Sequence, residues 1–226
     1  MFFQTFYLTL VKDLNLKIDH IFIITLPHRK DRLYKLTSQL DFFDLEYEIF
    51  YGVNGKKIKA KYESDNMNVG CTASHGQVLQ RASIMGLDNC LVLEDDCELS
   101  DNFLEQLQNL ELPEDWNVCY LSGSHKEKPI KVNDTISRCV KTLTTHAYLI
   151  RNSFTRSGVV HTLSLFLNDW IGGFQQPVDG YFADLQNKGN EFNFYVLNKP
   201  AAWQRGGFSE INQRDMYYEW LKEELC

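Results

Sequence analysis

An apolar run that ends in three consecutive acidic residues constrains the fold of this 226-residue chain more than any other stretch. Residues 91–93 have the composition of a buried strand, and Glu94, Asp95 and Asp96 follow directly. Because burying carboxylates without partners is costly, we expect all three where the strand leaves the core. Side-chain alternation would put Glu94 and Asp96 on one face and Asp95 on the other. The stretch indicates either a site for a hard divalent cation or a solvated acidic turn.

Strand-like and helical patterns alternate along the first half of the chain. Short apolar runs predict strands over residues 21–26, 46–51, 91–93 and 117–121. The spacing of apolar residues predicts helices over residues 30–40, 71–85 and 103–110. This order indicates an α/β fold with a Rossmann-like, mostly parallel central sheet flanked by helices. In the second half, the patterns predict strands over residues 138–143, 147–150 and 192–197 and helices over 152–165 and 181–185.

The composition is that of a folded, acidic protein. Hydrophobic residues make up 44% of the chain and charged residues 23%, and the formal net charge is -7. Binding to a phosphate backbone draws on clustered Lys and Arg, so we expect no nucleic-acid partner. Residues 1–10 are apolar but lack a basic flank, so we expect no signal peptide and no transmembrane segment. The six cysteines form no C-x-x-C pair, and we expect reduced thiols in a cytoplasmic protein, either free or peripheral to a membrane.

A basic turn follows the first predicted strand. Pro27 ends the strand, and His28, Arg29, Lys30 and Arg32 lie at the start of the next helix. In open α/β sheets, ligands bind beyond the carboxyl ends of the strands, so this turn and the acidic stretch are expected at one edge. Guanidinium groups and helix-terminal amides suit a phosphate there, and a solvated helix start is the other interpretation. A metal-bridged nucleotide diphosphate would fit between the basic and the acidic residues.

Short motifs are spread through most of the chain. They are Ile23-Ile24-Thr25-Leu26 followed by Arg29 and Asp31-Arg32; Gly52-Val53-Asn54-Gly55; Gly70-Cys71 with Ser74-His75; Leu93-Glu94-Asp95-Asp96; Thr145-His146-Ala147-Tyr148; Pro177-Val178-Asp179; and Gln204 with Ser209. Each motif is weak alone. In this order and at these separations they resemble glycosyltransferase family 25, the lipopolysaccharide and lipooligosaccharide biosynthesis family that also includes procollagen galactosyltransferases.

The resemblance implies a GT-A fold, with a single domain over residues 1–226. Residues 19–124 would form the nucleotide-sugar half of this domain, and residues 125–226 the acceptor half. The resemblance further implies a UDP-galactose or UDP-glucose donor, Mn²⁺ or Mg²⁺ as the cofactor, and inversion at the anomeric carbon. The implied acceptor is a hydroxyl group of a saccharide or of hydroxylysine, as in lipopolysaccharide biosynthesis or collagen glycosylation.

The resemblance also directs the assignment of individual residues. Asp96 and Glu94 are the expected metal ligands, with His146 either as a further ligand or as a hydrogen-bonded core histidine. An inverting enzyme needs a base to take the acceptor's proton, and Asp179 is the first candidate and Asp184 the second. Asp179 as a helix N-cap is the other interpretation. The residues expected to contact the donor are Leu26, Arg29, Arg32, Asn54, Gly55, Ser74, His75, Glu94, Asp95 and Gln204.

Two other functions fit the same residues. A non-catalytic nucleotide-sugar-binding module would bind UDP without turnover. A sugar nucleotidyltransferase normally has a glycine-rich loop after the first strand, whereas residues 27–32 contain no glycine. Near the C-terminus, an apolar stripe within residues 216–221 indicates core packing or a homodimer contact. Trp203 and the pair Gly206-Gly207 indicate either a mobile lid over the donor or a plain surface loop.

Overall fold

A computed structural model describes residues 18–58, 66–157, 177–187, 191–209 and 211–225 of the protein. Its strands, in chain order, are β1 (His20–Thr25), β2 (Glu48–Tyr51), β3 (Asn89–Glu94), β4 (Cys97–Leu99), β5 (Val118–Tyr120), β6 (Ser124–Glu127), β7 (Ile130–Lys131), β8 (Ile136–Arg138), β9 (Lys141–Leu143), β10 (Ala147–Arg151), β11 (Phe194–Leu197), β12 (Ala202–Gln204), β13 (Gly207–Ser209) and β14 (Arg214–Met216). Its α-helices are α1 (Lys30–Phe42), α2 (Asn66–Met85), α3 (Phe103–Gln108), α4 (Asn152–Thr155) and α5 (Val178–Gln186). Short 3₁₀ turns cover Gly55–Lys57 and Glu219–Lys222.

The central sheet has eight strands in the order β2-β1-β3-β10-β5-β11-β8-β7. β1 pairs in parallel with both β2 and β3, and β11 pairs in parallel with β5. β10 lies antiparallel between β3 and β5, and β8 lies antiparallel between β11 and β7. All strands of this sheet except β8 and β10 therefore run in one direction. Strands from both predicted halves of the chain share this sheet.

The sheet is covered on both faces, which explains why the central residues of β1 and β3 are apolar on both sides of the strand. Ile21 and Ile23 of β1 pack on one face in a cluster that includes residues of α1 and α3. Phe22 and Ile24 pack on the other face, in a cluster that includes residues of α2, α4 and α5. The predicted α/β class, a mostly parallel sheet flanked by helices, is confirmed. Among the helices in the described ranges, none is both long and apolar enough to cross a membrane.

Some predicted element boundaries are wrong. Helix α2 begins at Asn66 and not at residue 71. Val69 is the buried apolar residue of its first turn, and one such residue gives no helical repeat in the sequence. The strand predicted over 138–143 is divided between β8 and β9, which lie in different sheets. Between them, Cys139 donates its backbone N–H to Phe194 in the central sheet, whereas β9 pairs with β6. Of the helix predicted over 152–165, residues 152–155 form α4, residues 156–157 are described but not helical, and residues 158–165 lie outside the described ranges.

The C-terminal apolar stripe divides between core and surface. Leu221 is buried, whereas Tyr217 and Trp220 are exposed. Core packing is therefore confirmed for Leu221, and the homodimer contact stays a prediction.

Candidate active site

A cavity of about 140 Å³ opens beyond the carboxyl ends of β1 and β3, the sheet edge at which open α/β folds bind ligands. Of the residues predicted to contact a donor or a metal, those that line it are Leu26, Arg29, Arg32, Gly55, Ser74, His75, Glu94, Asp95, Asp96 and Gln204. The other lining residues are Ile24, Thr25, Val53, Met67, Cys71, Ser209 and Ile211. The structure thus brings residues from both ends of the chain to the sheet edge that the sequence indicates.

The three acidic residues all face this one cavity. Glu94 is the last residue of β3, and Asp95 and Asp96 form the turn that leads into β4. The backbone N–H of Asp95 donates to Ile24 at 3.0 Å, so the turn stays attached to β1. The predicted separation of Asp95 onto the opposite face is wrong, because side-chain alternation ends with the strand at Glu94.

Asp95 is held from the neighbouring strand β1. Its Oδ2 accepts a hydrogen bond from the Thr25 hydroxyl at 2.7 Å, and its Oδ1 lies 3.6 Å from Arg32 Nη1. Burial raises the pKa of the Asp95 carboxyl, against the opposing effects of Thr25 and of the nearby arginine charges. Thr25 therefore orients one carboxylate oxygen and leaves the other beside a guanidinium group.

Asp96 is buried to the same extent as Asp95. Its Oδ2 accepts hydrogen bonds from Arg32 Nη1 at 2.9 Å and from Gln204 Nε2 at 3.1 Å. Burial and the neighbouring charge of Glu94 raise its pKa to about 7. Among the described residues, nothing donates a hydrogen bond to its buried Oδ1. A buried oxygen without a donor is costly unless a cation or water meets it, so this atom points to a ligand.

Glu94 is positioned from three directions. Its Oε1 accepts a hydrogen bond from the Thr145 hydroxyl at 2.9 Å and lies 3.3 Å from His75 Nε2. Its backbone N–H donates to the carbonyl of His146 at 2.8 Å. Burial opposes its charged form, but the hydrogen bonds and the charge of His75 outweigh burial and lower the pKa of Glu94. Glu94 is therefore an ionised carboxylate at the cavity wall.

The acidic residues suit a hard divalent cation. Carboxylate oxygens are the ligands that Mn²⁺ and Mg²⁺ prefer, and Asp96 Oδ1 is a buried oxygen that no described residue donates to.

The third predicted metal ligand, His146, is placed differently. It is buried outside the cavity lining, with Nε2 3.0 Å from Ser122 Oγ, and burial lowers its pKa to about 4. These contacts fit the alternative interpretation, in which His146 is a hydrogen-bonded core histidine.

The basic side of the cavity is formed by the start of α1. Arg29 is the N-cap residue of this helix, and its backbone N–H donates to Leu26 at 2.8 Å. Arg32, one turn into the helix, contacts the acidic turn and also donates from Nη2 to the carbonyl of Phe208 at 2.6 Å. A helix N-terminus with two arginines is a favourable place for phosphate oxygens.

The glycine motif after β2 has a packing role. A Cβ on Gly70 would lie 2.7 Å from the Val53 carbonyl oxygen, and a Cβ on Gly52 would lie 2.6 Å from Ser74 Oγ. Ser74 Oγ donates to the Gly70 carbonyl at 2.6 Å and accepts from the Val53 N–H at 2.8 Å. The turn over residues 52–55 therefore rests directly on α2. Ser74 lines the cavity, but its hydroxyl is already engaged in holding this turn.

Asn54 and Gln204 have different relations to the cavity. Asn54 lies beside it and caps the turn Gly55–Lys57, where its Oδ1 accepts from the Lys56 N–H at 3.0 Å. Gln204 ends β12, which pairs antiparallel with β4 and so carries the Gln204 side chain to Asp96. Trp203 is half-buried outside the cavity lining, and the lid interpretation of Trp203 and the glycine pair stays a prediction.

The two candidate bases differ in environment. Asp179 lies in the first turn of α5, half-buried, where its Oδ1 accepts from the Gly180 N–H at 2.8 Å and its Oδ2 from the Thr144 N–H at 3.4 Å. The N-cap residue of α5 is Pro177, so the N-cap interpretation of Asp179 is wrong, although its carboxylate does bind a first-turn amide. Burial raises the pKa of Asp179. Asp184 is exposed on the same helix.

The turn between β9 and β10 links Asp179 to Glu94. Thr144 has a positive φ of 76°, which is a strained conformation for a β-branched residue. Its N–H meets Asp179, and the next residue, Thr145, donates its hydroxyl to Glu94. Asp179 does not line the cavity, whereas Cys71 does. Burial chiefly raises the pKa of Cys71, and the charges of Glu94 and then Asp179 add to this effect.

Sequence reasoning missed the roles of Thr25, Thr145 and Cys71. The first two orient acidic side chains, and Cys71 lines the cavity beside His75. All three belong to the motifs that resemble the family, but the sequence does not show what their side chains contact. The parallel register of β1 and β3, which pairs Ile24 with Glu94, is the feature that places Thr25 beside Asp95.

The comparisons with solved structures give only distant likenesses. A protein of STIV is 15% identical with a TM-score of 0.42, covering 87% of this chain and 92% of that one. A mannose-1-phosphate geranyltransferase from Thermus thermophilus is 10% identical with a TM-score of 0.44, covering 85% and 63%. A glycosyltransferase involved in the glycosylation of the major capsid of PBCV-1 is 9% identical with a TM-score of 0.37, covering 67% of each chain.

The comparison with protein families is more informative. No curated protein matches the chain. The model of glycosyltransferase family 25, described as an LPS biosynthesis protein, matches residues 18–204. This span contains the acidic turn, the basic helix start, the glycine turn and both candidate bases. The chain belongs to glycosyltransferase family 25.

Proposed function

We propose that the protein is a metal-dependent, inverting glycosyltransferase that moves galactose or glucose from a UDP-sugar to a hydroxyl group of a glycan or collagen-like acceptor. The observation that carries the proposal is the buried Oδ1 of Asp96, for which the described residues supply no donor. It lies among three carboxylates, in a cavity that also contains the arginine-bearing start of α1. Such a cavity has the charges needed for a cation and a diphosphate together.

Asp96, with Glu94 or Asp95, would hold Mn²⁺ or Mg²⁺. When bound, the cation would offset the negative charge that develops on the departing UDP. Thr25, Thr145 and Gln204 keep the acidic side chains in place through the hydrogen bonds described above. The carboxylates therefore require little rearrangement to act as ligands.

The start of α1 would bind the diphosphate of the donor. Arg29 and the first-turn amides supply donors, and the N-terminal end of the helix dipole favours an anion there. Arg32 lies between this position and the acidic turn, since its guanidinium contacts Asp96 and Asp95. It would fix the distance between the phosphate subsite and the acidic residues.

Asp179 would act as the general base. In an inverting transfer, the acceptor oxygen forms a bond to the anomeric carbon while the bond from that carbon to the phosphate oxygen breaks. The bonding electron pair leaves with UDP, and the acceptor's proton passes to the Asp179 carboxylate. A raised pKa suits this role, because it increases the basicity of the carboxylate. Its strained neighbour Thr144 supports the assignment of Asp179 over the exposed Asp184.

The test is product analysis with the full chain and Mn²⁺ against a panel of UDP-sugars and nucleoside triphosphates, with and without saccharide acceptors. The proposal expects UDP release from UDP-galactose or UDP-glucose. Pyrophosphate release from a triphosphate would indicate a nucleotidyltransferase instead. UDP binding without turnover of any donor would indicate a non-catalytic binding module. The proposal also fails if Asp96→Ala binds UDP with Mn²⁺ as tightly as the unchanged protein.

A further inference from the structure

A second set of possible metal ligands lies on the wall of the same cavity. The Sγ of Cys71, the ring nitrogen of His75 and a carboxylate oxygen of Glu94 all lie within 4.8 Å of one another. Cys71 and His75 are four residues apart on α2 and so project from one side of the helix. Glu94 approaches from the end of β3. The three side chains therefore converge from two different elements.

The hydrogen bonds of His75 leave one ring nitrogen directed at this point. Its Nδ1 lies 2.8 Å from the hydroxyl of Tyr148, which is buried in the sheet. Its Nε2 lies 3.3 Å from Glu94 Oε1. In its contact with Glu94, Nε2 is the hydrogen-bond donor, and a cation would take the place of this proton while Nδ1 donates to Tyr148. Metal-binding histidines are commonly held in this way, with the remote nitrogen donating to a neighbouring oxygen.

The chemistry of the three groups differs from that of the acidic turn. A thiolate, an imidazole and one carboxylate are characteristic ligands of zinc, whereas an all-carboxylate set selects magnesium or manganese. All three residues line the cavity, which leaves an open side for water or a substrate oxygen as the fourth ligand. Of the five cysteines in the described ranges, the other four are buried and only Cys71 is partly exposed.

We propose that Cys71, His75 and Glu94 form a binding site for a zinc-like divalent cation, which differs from the manganese or magnesium position at Asp96 by its thiolate and imidazole ligands. On binding, the S–H bond of Cys71 and the Nε2–H bond of His75 break, and the sulfur and Nε2 bond to the cation. The thiol proton passes to solvent, and the Nε2 proton passes to solvent or to Nδ1 where that nitrogen is vacant. Glu94 belongs to both sets of ligands. A zinc-like cation at this site therefore withdraws Glu94 from the acidic turn and occupies part of the donor cavity.

The consequence is inhibition by zinc, and this part rests on the proposed function. Micromolar Zn²⁺ is expected to slow UDP release by an order of magnitude or more at saturating Mn²⁺, and Cys71→Ser to remove most of this inhibition. Binding of the cation itself does not depend on the reaction. The two parts are therefore measured separately.

The binding test uses Co²⁺, which replaces zinc and gives a thiolate-to-metal absorption band in the near ultraviolet. The full chain carries Cys226→Ser, so that the thiol of this residue, which lies outside the described ranges, does not contribute. We expect one Co²⁺ per chain with this band, displaced by Zn²⁺. In Cys71→Ser the band is expected to vanish, and in His75→Gln the affinity is expected to fall at least tenfold.

The matched control is Asp96→Asn, which removes a carboxylate of the acidic turn and leaves the three proposed ligands in place. It is expected to keep the Co²⁺ band while losing the response to Mn²⁺. If Cys71→Ser does not fold, as judged by circular dichroism, His75→Gln and Glu94→Gln decide by their weakened Co²⁺ binding. Absence of the band in the parent chain, or its persistence in Cys71→Ser, overturns the inference. Either result leaves the transferase proposal intact, because UDP release is measured without Co²⁺.

Discussion

Arg32 Nη1 lies 2.9 Å from Asp96 Oδ2, so that the first helix of the fold is tied directly to the acidic turn after β3. The other end of the same guanidinium donates to the carbonyl of Phe208 in β13. One side chain thus connects the start of α1, where we propose that phosphate binds, with the acidic turn and a strand from the end of the chain. Arginine is suited to this position because its planar group donates in several directions at once.

Replacement of Arg32 by glutamine is expected to lower kcat/KM by about 10²–10³-fold, the usual cost of losing a charged donor near a developing negative charge. It also removes a positive charge that stabilises ionised Asp96, so the pKa of that carboxyl is expected to rise further above about 7. The measurement is UDP release at several pH values. Arg32→Lys is the matched control, which keeps the charge and loses the branched contact. Equal activity of Arg32→Gln and the parent enzyme would contradict this role.

Asp96→Asn is expected to lose metal-dependent turnover while remaining folded. The amide can still accept hydrogen bonds from Arg32 and Gln204, but it replaces an ionisable ligand with a neutral one. We expect a fall in kcat of about 10²-fold or more and a weaker response to added Mn²⁺, because electrostatic stabilisation of the leaving group is lost. A titration of activity with Mn²⁺ makes the comparison.

Glu98→Gln is a suitable control for the acidic turn, because Glu98 lies on β4 outside the cavity lining and contacts Arg205. It changes the net charge by the same amount. If both variants lose the Mn²⁺ response equally, the effect is one of overall charge and not of metal ligation at Asp96.

The proposed general-base role of Asp179 predicts a particular pH profile. A base acts in its ionised form, so activity is lost as the pH falls through its pKa. Burial raises the pKa of Asp179 above its ordinary value of 3.8, and the acidic limb of kcat/KM is therefore expected at a higher pH than an exposed aspartate would give. Asp179→Asn should lower kcat about 10²–10⁴-fold and remove the contribution of this group to the limb. Asp184→Asn, at an exposed position of the same helix, should retain activity, and the reverse result would exchange the two assignments.

The sheet edge was predictable because it depends on local patterns. The apolar runs of β1 and β3 end in Thr25 and Glu94, and strands of one direction bring their carboxyl ends to the same edge. The direction of the strands alone therefore brings Arg29 and the acidic turn together, whatever the packing of the side chains.

The contacts that differ from expectation depend on long-range packing. The Nε2 of His146 contacts Ser122 and the carbonyl of Ala202, which lies more than fifty residues further along the chain. Ala202 belongs to β12, whose position is set by its pairing with β4. The turn before His146 is likewise held by a distant residue, because the Thr144 N–H donates to Asp179. Periodicity describes the face of one element and contains no information about which distant element covers it.

Gly70 in α2 offers a test of the packing beneath the cavity. In an ordinary helix interior, glycine to alanine stabilises by about 1 kcal/mol. At Gly70 the added Cβ would lie 2.7 Å from the Val53 carbonyl oxygen and 2.8 Å from the Gly55 nitrogen, and both are backbone atoms that cannot rotate away. Gly70→Ala is therefore expected to lower the free energy of unfolding by about 1–3 kcal/mol, as overpacking does.

Urea unfolding of Gly70→Ala, compared with Gln77→Ala at an exposed position of the same helix, measures this effect. The control should lie within about 0.5 kcal/mol of the parent protein. Because the displaced turn over residues 52–55 also contributes Val53 and Gly55 to the cavity wall, Gly70→Ala should raise KM for the donor more than it lowers kcat. A more stable Gly70→Ala protein with an unchanged KM would show that the turn does not rest on α2 as closely as the Cβ distances require.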